Sequence, residues 1–246
     1  MESLELFLSA ENECEEKTNK ILRESFALND ELLDLNLRIY DQNFSKEPPL
    51  TGEYPFAVIV LQNEKLKSLR CLSILLKKGY YSEFHSILRD VLDISRRSQF
   101  FLKHPEKSID WINGEEIKFG KINPELSDSE NWGSLYGNLC DFTHRHIRST
   151  FWETTLYKES HELSLSKKPT FQKPVAYSLI SDLLAFNFLT FLIFEDFLKT
   201  YHNDLDQEDI EEFKDLLKRW FKHSKKVEKF QSDPKNIAWR DSIKSE

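Results

Sequence analysis

Apolar side chains recur at helical spacing along most of the chain, most regularly between Tyr80 and Trp111. On a helical wheel with about 100° per residue, one half of this stretch collects Phe84, Ile87, Leu88, Val91, Leu92, Ile94 and Leu102. The other half collects His85, Arg89, Asp93 and Arg96. This predicts an amphipathic helix with one buried face. The helix should end before Pro105, because proline lacks an N–H and disfavours helical geometry at the preceding residue.

The N-terminal residues 2–40 predict a long helix in which an apolar position recurs every seven residues. These positions are Phe7, Cys14, Ile21, Leu28 and Leu35. Half of the companion positions are polar, so a coiled-coil seam would be incomplete. The pattern therefore favours packing against the protein's own bundle over a dimeric coil, and it allows a break near Asn29–Asp30.

The remaining pattern predicts an all-α fold, a bundle of about six to eight helices. A linker at 45–55 precedes a helix to Lys78, and Gly79 should turn that helix into an antiparallel hairpin with the next. Further helices are expected at 131–142, 174–202 and 204–229, and a short β or irregular segment near 147–157. We expect a single helical domain over residues 1–230, with an N-terminal arm at 1–45, a bundle core at 55–230 and a polar tail at 231–246.

The stretch 174–202 is the most apolar of the chain, so a membrane span has to be considered. Asp182 and Asn187 interrupt it. Its uninterrupted apolar runs are shorter than the roughly 20 residues that a span needs. We therefore expect no membrane partner, and a central buried helix or one shared with a second subunit.

Composition narrows the function classes without selecting one. The formal net charge of −8 argues against a chain devoted to nucleic acid, and only 6 glycines argue against Gly-rich nucleotide-binding folds. Three widely spaced cysteines and an N-terminus without a leader pattern fit free thiols in the cytoplasm. Common enzyme motifs are absent, so the sequence predicts no cofactor and leaves open whether the protein is an enzyme.

Two polar groups are the main candidates for chemistry. Arg89 and Asp93 lie one helical turn apart, either on a solvated face or facing a polar cleft. Cys140 and His144 have ligand spacing, with Arg145 and His146 beside them. A metal needs three or four converging ligands, so we predict none, and a cleft or capping role stays open for these residues.

The last predicted helix ends in the basic segment KRWFKHSKKVEK. Its interleaved Trp220 and Phe221 would suit a nucleic-acid or anionic surface. The helix dipole equally favours cations at a C-terminus, and Trp220, Phe221 and Val227 can form a buried face. We favour the second interpretation.

The segment SILRDVLDISRRSQFFLKHPEKSIDW, followed by LYGNLCDFTHRH, resembles a broad set of uncharacterised bacterial helical proteins. They carry an Arg-acidic pair on one helix and an Asn-Pro or His-Pro turn after it. A later helix ends in a motif that begins with Tyr and finishes with Ser/Thr-His. Arg89–Asp90, Tyr136 and Thr143–His144 match these places. The resemblance covers about 65 residues of 246. Such families look distantly like HEPN bundles, some of which are ribonucleases or defence toxins, and the resemblance implies that Arg89 and His144 meet across two helices.

Arg97 and His104 also fit the Arg-x4–6-His spacing of HEPN ribonucleases. Ser98 follows Arg97, where that family usually has Asn, Asp or His. The composition of this chain gives roughly one such match by chance, so the spacing carries little information by itself.

Two functions follow as hypotheses. The first is a non-enzymatic helical module that binds a partner protein or a ligand, acts as a homodimer, and has an apolar groove or self-interface around Pro174–Leu198. Its expected ligand-binding residues are Arg89, Asp93, Tyr136 and Arg145. The alternative is a HEPN-like ribonuclease or toxin of a bacterial stress or phage-defence system, acting on RNA with Arg89, His144 and His146 as catalytic residues. Convergence of Arg89, Asp93, Tyr136 and His144 is the observation that bears most on both.

Overall fold

The computed structural model describes residues 2–44, 55–143, 154–156, 163–165, 168–201 and 204–231. The helices in these ranges are α1 (Glu2–Phe44), α2 (Pro55–Lys78), α3 (Tyr81–Lys103), α4 (Pro105–Ile112), α5 (Phe119–Ile122), α6 (Ser129–Thr143), α7 (Lys173–Tyr201) and α8 (Gln207–Gln231). A 3₁₀ turn, Asn123–Glu125, links α5 to α6. The predicted all-α multi-helix bundle is confirmed. Most of the predicted linker and nearly all of the polar tail lie outside the described residues.

Two short strands lie within the region between α6 and α7. Strand β1 (Thr154–Leu156) pairs antiparallel with β2 (Leu163–Leu165). Strand β1 falls at the end of the segment for which the sequence predicted a short β or irregular element. Residues 147–153 of that segment lie outside the described residues.

Helices α2 and α3 form a hairpin around Gly79. Gly79 has φ +83°, a left-handed conformation that favours glycine, and a side chain there would meet the Cys14 sulfur at 3.1 Å. The Gln62 amide near the start of α2 donates to Ser98 Oγ near the end of α3 at 2.7 Å. This contact between opposite helix ends shows that the two helices run antiparallel.

Helix α7 is the centre of the bundle, where it packs against α1, α2, α3 and α8. Phe194 stacks on Phe44 of α1 at 5.7 Å between ring centroids, and Phe191 stacks on Phe213 of α8 at 3.7 Å. In the described part of the chain, α7 alone has the length and apolar composition for a membrane span, and 61% of its most apolar window is buried inside the bundle.

A buried asparagine cluster joins α1 to α7 and corrects the predicted helix break. Asn187 Nδ2 donates to Asn29 Oδ1 at 3.0 Å, and Asn36 Nδ2 donates to the Asn187 carbonyl at 3.0 Å. Asn29 is therefore a core contact inside the helical stretch that follows the kink at Leu22. The non-helical residue of α1 is Leu22, with φ −111° and ψ 21°.

Helix α8 packs along α1, and ion pairs cross the seam. Arg219 donates to Glu31 at 2.8 Å, and Lys226 donates to Glu24 at 2.8 Å. Part of the basic end of α8 thus faces acidic groups of its own chain. This agrees with a structural role for the basic segment and not with a surface that binds nucleic acid. Val227 is buried as expected, but Phe221 is 54% exposed, so its predicted burial was wrong.

The predicted polar half of α3 was wrong at His85 and Arg96, which are both buried. Arg96 donates to the Ser127 carbonyl at 3.0 Å and lies 5.4 Å from the Trp132 ring centroid. Burial lowers the pKa of His85 to about 4, so its ring is neutral at pH 7. The physical reason at Arg96 is that α6 and the turn before it pack on this side of α3, a contact that helical periodicity alone does not reveal.

Candidate functional site

An open cavity of about 450 Å³ lies where α3, α4, the segment 115–120 and α6 meet. It is lined by Arg89, Asp90, Asp93, Arg97, Trp111, Glu116, Ile117, Lys118, Phe119, Gly120 and Tyr136. Three residues that the sequence predicted for ligand binding, Arg89, Asp93 and Tyr136, are in this lining. The polar stripe of α3 therefore faces a cleft along part of its length.

The cavity exists because the chain reverses after α4 and returns along α3. Gly114 makes the turn with φ +95°, in the left-handed region that favours glycine. Arg97 Nη1 donates to the Ile117 carbonyl at 2.8 Å and fixes the returning segment to α3. Trp111 from α4 and Phe119 from α5 thereby both line the cavity.

Arg97 and Asp93, which both line the cavity, form an ion pair with each other. Arg97 Nη2 and Nε donate to Asp93 Oδ2 at 2.9 and 3.3 Å across one helical turn. With the bond to the Ile117 carbonyl, all three nitrogens of the Arg97 guanidinium donate to groups inside the protein. Arg97 is therefore a structural cation whose charge Asp93 compensates.

Arg89 is bonded much less completely. In the described structure its Nη2 donates to Asp90 Oδ1 at 3.3 Å, and Asp90 is exposed. The Arg89 Nε is buried, with no hydrogen-bond acceptor among the described residues. A guanidinium has five N–H donors, so Arg89 keeps most of its bonding capacity for another group.

Tyr136 brings α6 into the site. Its ring stacks on Phe119 with centroids 3.9 Å apart and an angle of 8° between planes. Burial is the main cause that raises the pKa of the Tyr136 phenol; Cys140 and Asp93 raise it further, whereas Arg89 lowers it. The phenol is thus a neutral donor at pH 7, and Arg89, Asp93 and Tyr136 are close enough to interact.

Arg145, His144 and His146 lie outside the described residues. The expected meeting of Arg89 with His144 therefore stays a prediction, and α6 itself is described to Thr143. Arg97 and His104 do not share this cavity, since His104 is absent from its lining. Within the described ranges, no group of three His, Cys, Asp or Glu side chains is placed to hold a metal ion.

Sequence reasoning missed the wall formed by Trp111 and residues 116–120. This segment between α4 and α6 has no apolar periodicity that would orient its side chains. The signal that was available is local: Asn113–Gly114 predicts a stop after α4, and Phe119 follows within a few residues. That signal fixes a turn but does not show where the chain returns.

Fold and site together define an all-α bundle with a mixed polar and aromatic cavity on one side. Comparisons with models of protein families, with curated proteins and with solved structures found no match to this chain.

Proposed function

We propose that this protein is a cytoplasmic helical module that binds a small ligand in the cavity beside α3. The observation that carries the proposal is the convergence of Arg89, Asp93 and Tyr136 on one open cavity. Arg89 and Asp93 are one turn apart on α3, and the packing of α6 brings the sequence-distant Tyr136 to them. No role in catalysis is needed for any of them.

The size of the cavity supports ligand binding, whereas its lining is more polar than that of a common ligand pocket. Ligand pockets in proteins commonly have volumes of about 300–1,000 Å³, with mainly apolar and aromatic walls and a few polar groups that orient the ligand. The volume of about 450 Å³ is within this range. Trp111, Phe119 and Tyr136 provide aromatic surface, and Arg89 provides an incompletely bonded donor.

Filling the cavity tests the proposal. A Cβ added at Gly120, in the lining, meets nothing within 4 Å, so Gly120→Phe should fold and occupy the space. Gly137→Phe is the matched control, because a Cβ at Gly137 also meets nothing within 4 Å and Gly137 is outside the lining. Saturation-transfer NMR on a fragment library should find compounds that bind wild type and Gly137→Phe but not Gly120→Phe. If every hit binds all three proteins equally, the cavity is not a ligand site.

We also propose that the protein acts as a homodimer through the outer face of α7. Ala185, Leu189 and Leu192 share one helical face; Ala185 is exposed, Leu189 is partly buried and Leu192 is 44% exposed. A second copy would cover this face by presenting the same residues across a two-fold axis. The pairing would remove a row of apolar side chains from water.

A charge on this face should dissociate the dimer. Leu192→Lys is expected to sediment as a monomer, because an ammonium group would be buried without a partner in the interface. Ile74→Lys is the control, since Ile74 is 46% exposed on α2. Sedimentation equilibrium across a concentration series measures the oligomeric state of wild type and of both variants. A monomeric wild type, or equal dissociation by both variants, would contradict the proposal.

A HEPN-like ribonuclease is the competing function. Tyr136 and Cys140 lie near each other on α6, close to Arg89 of α3, and the chain continues from this end of α6 to His144. This proximity is the observation that supports the ribonuclease. Against it, the lining contributes three carboxylates beside three cations. Cleavage of RNA by wild type, abolished in Arg89→Ala and His144→Ala, would favour the ribonuclease over the binding module.

A further inference from the structure

We infer that the ligand of this cavity is a small planar organic anion, an aromatic ring that carries one carboxylate or phosphate. The inference rests on the proposed function and specifies its ligand class. Three features of the lining carry it: an under-bonded cation, an aromatic wall, and carboxylates that limit the total negative charge of the ligand.

The anionic end is assigned from the bonding of the three lining cations. Arg97 is compensated by Asp93 and by the Ile117 carbonyl. Arg89 has one contact of 3.3 Å to an exposed carboxylate, and Lys118 is exposed with no ion pair in the described structure. An oxyanion is the group that best fits the open donors of a guanidinium, because both partners are planar forks.

The Tyr136 phenol, which also hydrogen-bonds the Cys140 side chain, adds a neutral polar group to the same place. It is close enough to Arg89 for the guanidinium charge to lower its pKa, while burial keeps the net shift upward. A protonated phenol donates to an oxyanion and does not repel it. Arg89 and Tyr136 can therefore hold one anionic group from two helices, α3 and α6.

The planar part of the ligand is assigned from the aromatic wall. Tyr136 and Phe119 form a nearly parallel stack, and Trp111 also lines the cavity while it contacts Phe101 at 5.7 Å. These rings are half-buried and present apolar surface to the opening. Aromatic rings interact favourably with planar ligand rings through offset or edge-to-face contacts.

The acidic lining residues set an upper limit on the negative charge of the ligand. Asp90 and Glu116 are exposed at the cavity, and Asp93 is paired with Arg97. A polyanion would place further phosphates beside Asp90 and Glu116, where like charges repel. One oxyanion next to Arg89 avoids this repulsion, so the lining selects a compact anion rather than RNA.

Calorimetric titration of the full chain with four matched probes tests the assignment. Naphthoate and naphthyl phosphate carry the ring with either anion, naphthamide keeps the ring without charge, and decalin carboxylate keeps the charge on a saturated ring. At least one of the naphthyl anions should bind about tenfold or more tightly than naphthamide, the effect of one charge-assisted hydrogen bond. Decalin carboxylate should bind more weakly than naphthoate. The better of the two naphthyl anions distinguishes a carboxylate ligand from a phosphate ligand.

Two variants connect this preference to the site. Arg89→Gln should remove the difference between naphthoate and naphthamide, because glutamine keeps a donor but loses the charge. Arg70→Gln changes an exposed arginine of α2 outside the lining and should leave the difference intact. Gly120→Phe should weaken the binding of every probe.

The outcomes separate the ligand class from the ligand site. If naphthamide or decalin carboxylate binds as tightly as the naphthyl anions, and Gly120→Phe still weakens binding, the ligand class is wrong and the cavity remains a site. If no probe binding responds to Gly120→Phe, neither this inference nor the proposed cavity function survives. An unchanged anion preference in Arg89→Gln would also overturn the assignment.

Discussion

Replacing Lys65 with methionine is expected to raise the free energy of unfolding by about 1–3 kcal/mol, the usual cost of a buried donor left without an acceptor, and by more at any pH where folding must also release the Lys65 proton. Lys65 lies on α2 with no exposed surface, and its Nζ has no hydrogen-bond partner in the described structure. Methionine keeps an unbranched side chain that adapts to the same space. The substitution thus removes the unpaired amine and retains most of the packing.

The same residue predicts a pH dependence. Burial lowers the pKa of Lys65 well below its ordinary value of 10.5, so between the two pKa values the unfolded chain binds a proton that the folded protein does not. The free energy of unfolding then rises with pH in this window, by up to about 1.4 kcal/mol per pH unit. Above the ordinary pKa both states are neutral at Lys65, so the protonation penalty is gone and only the cost of the unpaired amine remains.

Urea denaturation at several pH values between 7 and 10 measures this slope. The difference in the free energy of unfolding between wild type and Lys65→Met reports the effect of Lys65 alone. Other groups, such as Cys14, whose pKa burial raises to about 11, titrate in both proteins. The difference should shrink as the pH rises. Lys67→Met, at an exposed position on the same helix, is the control and should keep the wild-type slope. Parallel curves for wild type and Lys65→Met would contradict the prediction.

Lys65 also shows what a helical wheel can and cannot tell. It lies four residues after Leu61 and four before Leu69, both buried, so the spacing already places its Cβ on the core face of α2. A lysine there is expected to extend along the helix and bring its amine to water. Whether it can do so depends on how far the neighbouring helices cover the face, and this is a tertiary property.

In helix α3, too, periodicity predicts the buried face but not the surroundings of the polar residues. Phe84, Leu88, Val91 and Leu92 are buried as the periodicity predicts. The opposite side divides into a buried part with Arg96 and a part that faces the cavity with Arg89 and Asp93. The sequence cannot make this division, because it depends on where α6 packs and where residues 115–120 return along α3.

Phe191→Ala is expected to lower the free energy of unfolding by about 3–5 kcal/mol, the range found for buried phenylalanines. Phe191 is 1% exposed, and its ring lies parallel to that of Phe213 with 3.7 Å between centroids. Alanine would leave a void between α7 and α8. The Arg219–Glu31 and Lys226–Glu24 pairs between α8 and α1 are exposed, and such pairs contribute less than about 1 kcal/mol each, so they cannot offset the loss.

Phe221→Ala provides the matched control, because Phe221 is on α8 but 54% exposed, and its loss should cost no more than about 0.5 kcal/mol. Urea denaturation compares the two variants, and hydrogen exchange shows whether α8 loses protection before α2 and α3 do. Equal losses in both variants would mean that the Phe191–Phe213 stack does not hold α8 to the bundle. Since the cavity is built from α3, α4, α5 and α6, a Phe191→Ala protein that is still folded should bind naphthoate like wild type. Loss of binding without unfolding would show that α7 and α8 support the cavity wall.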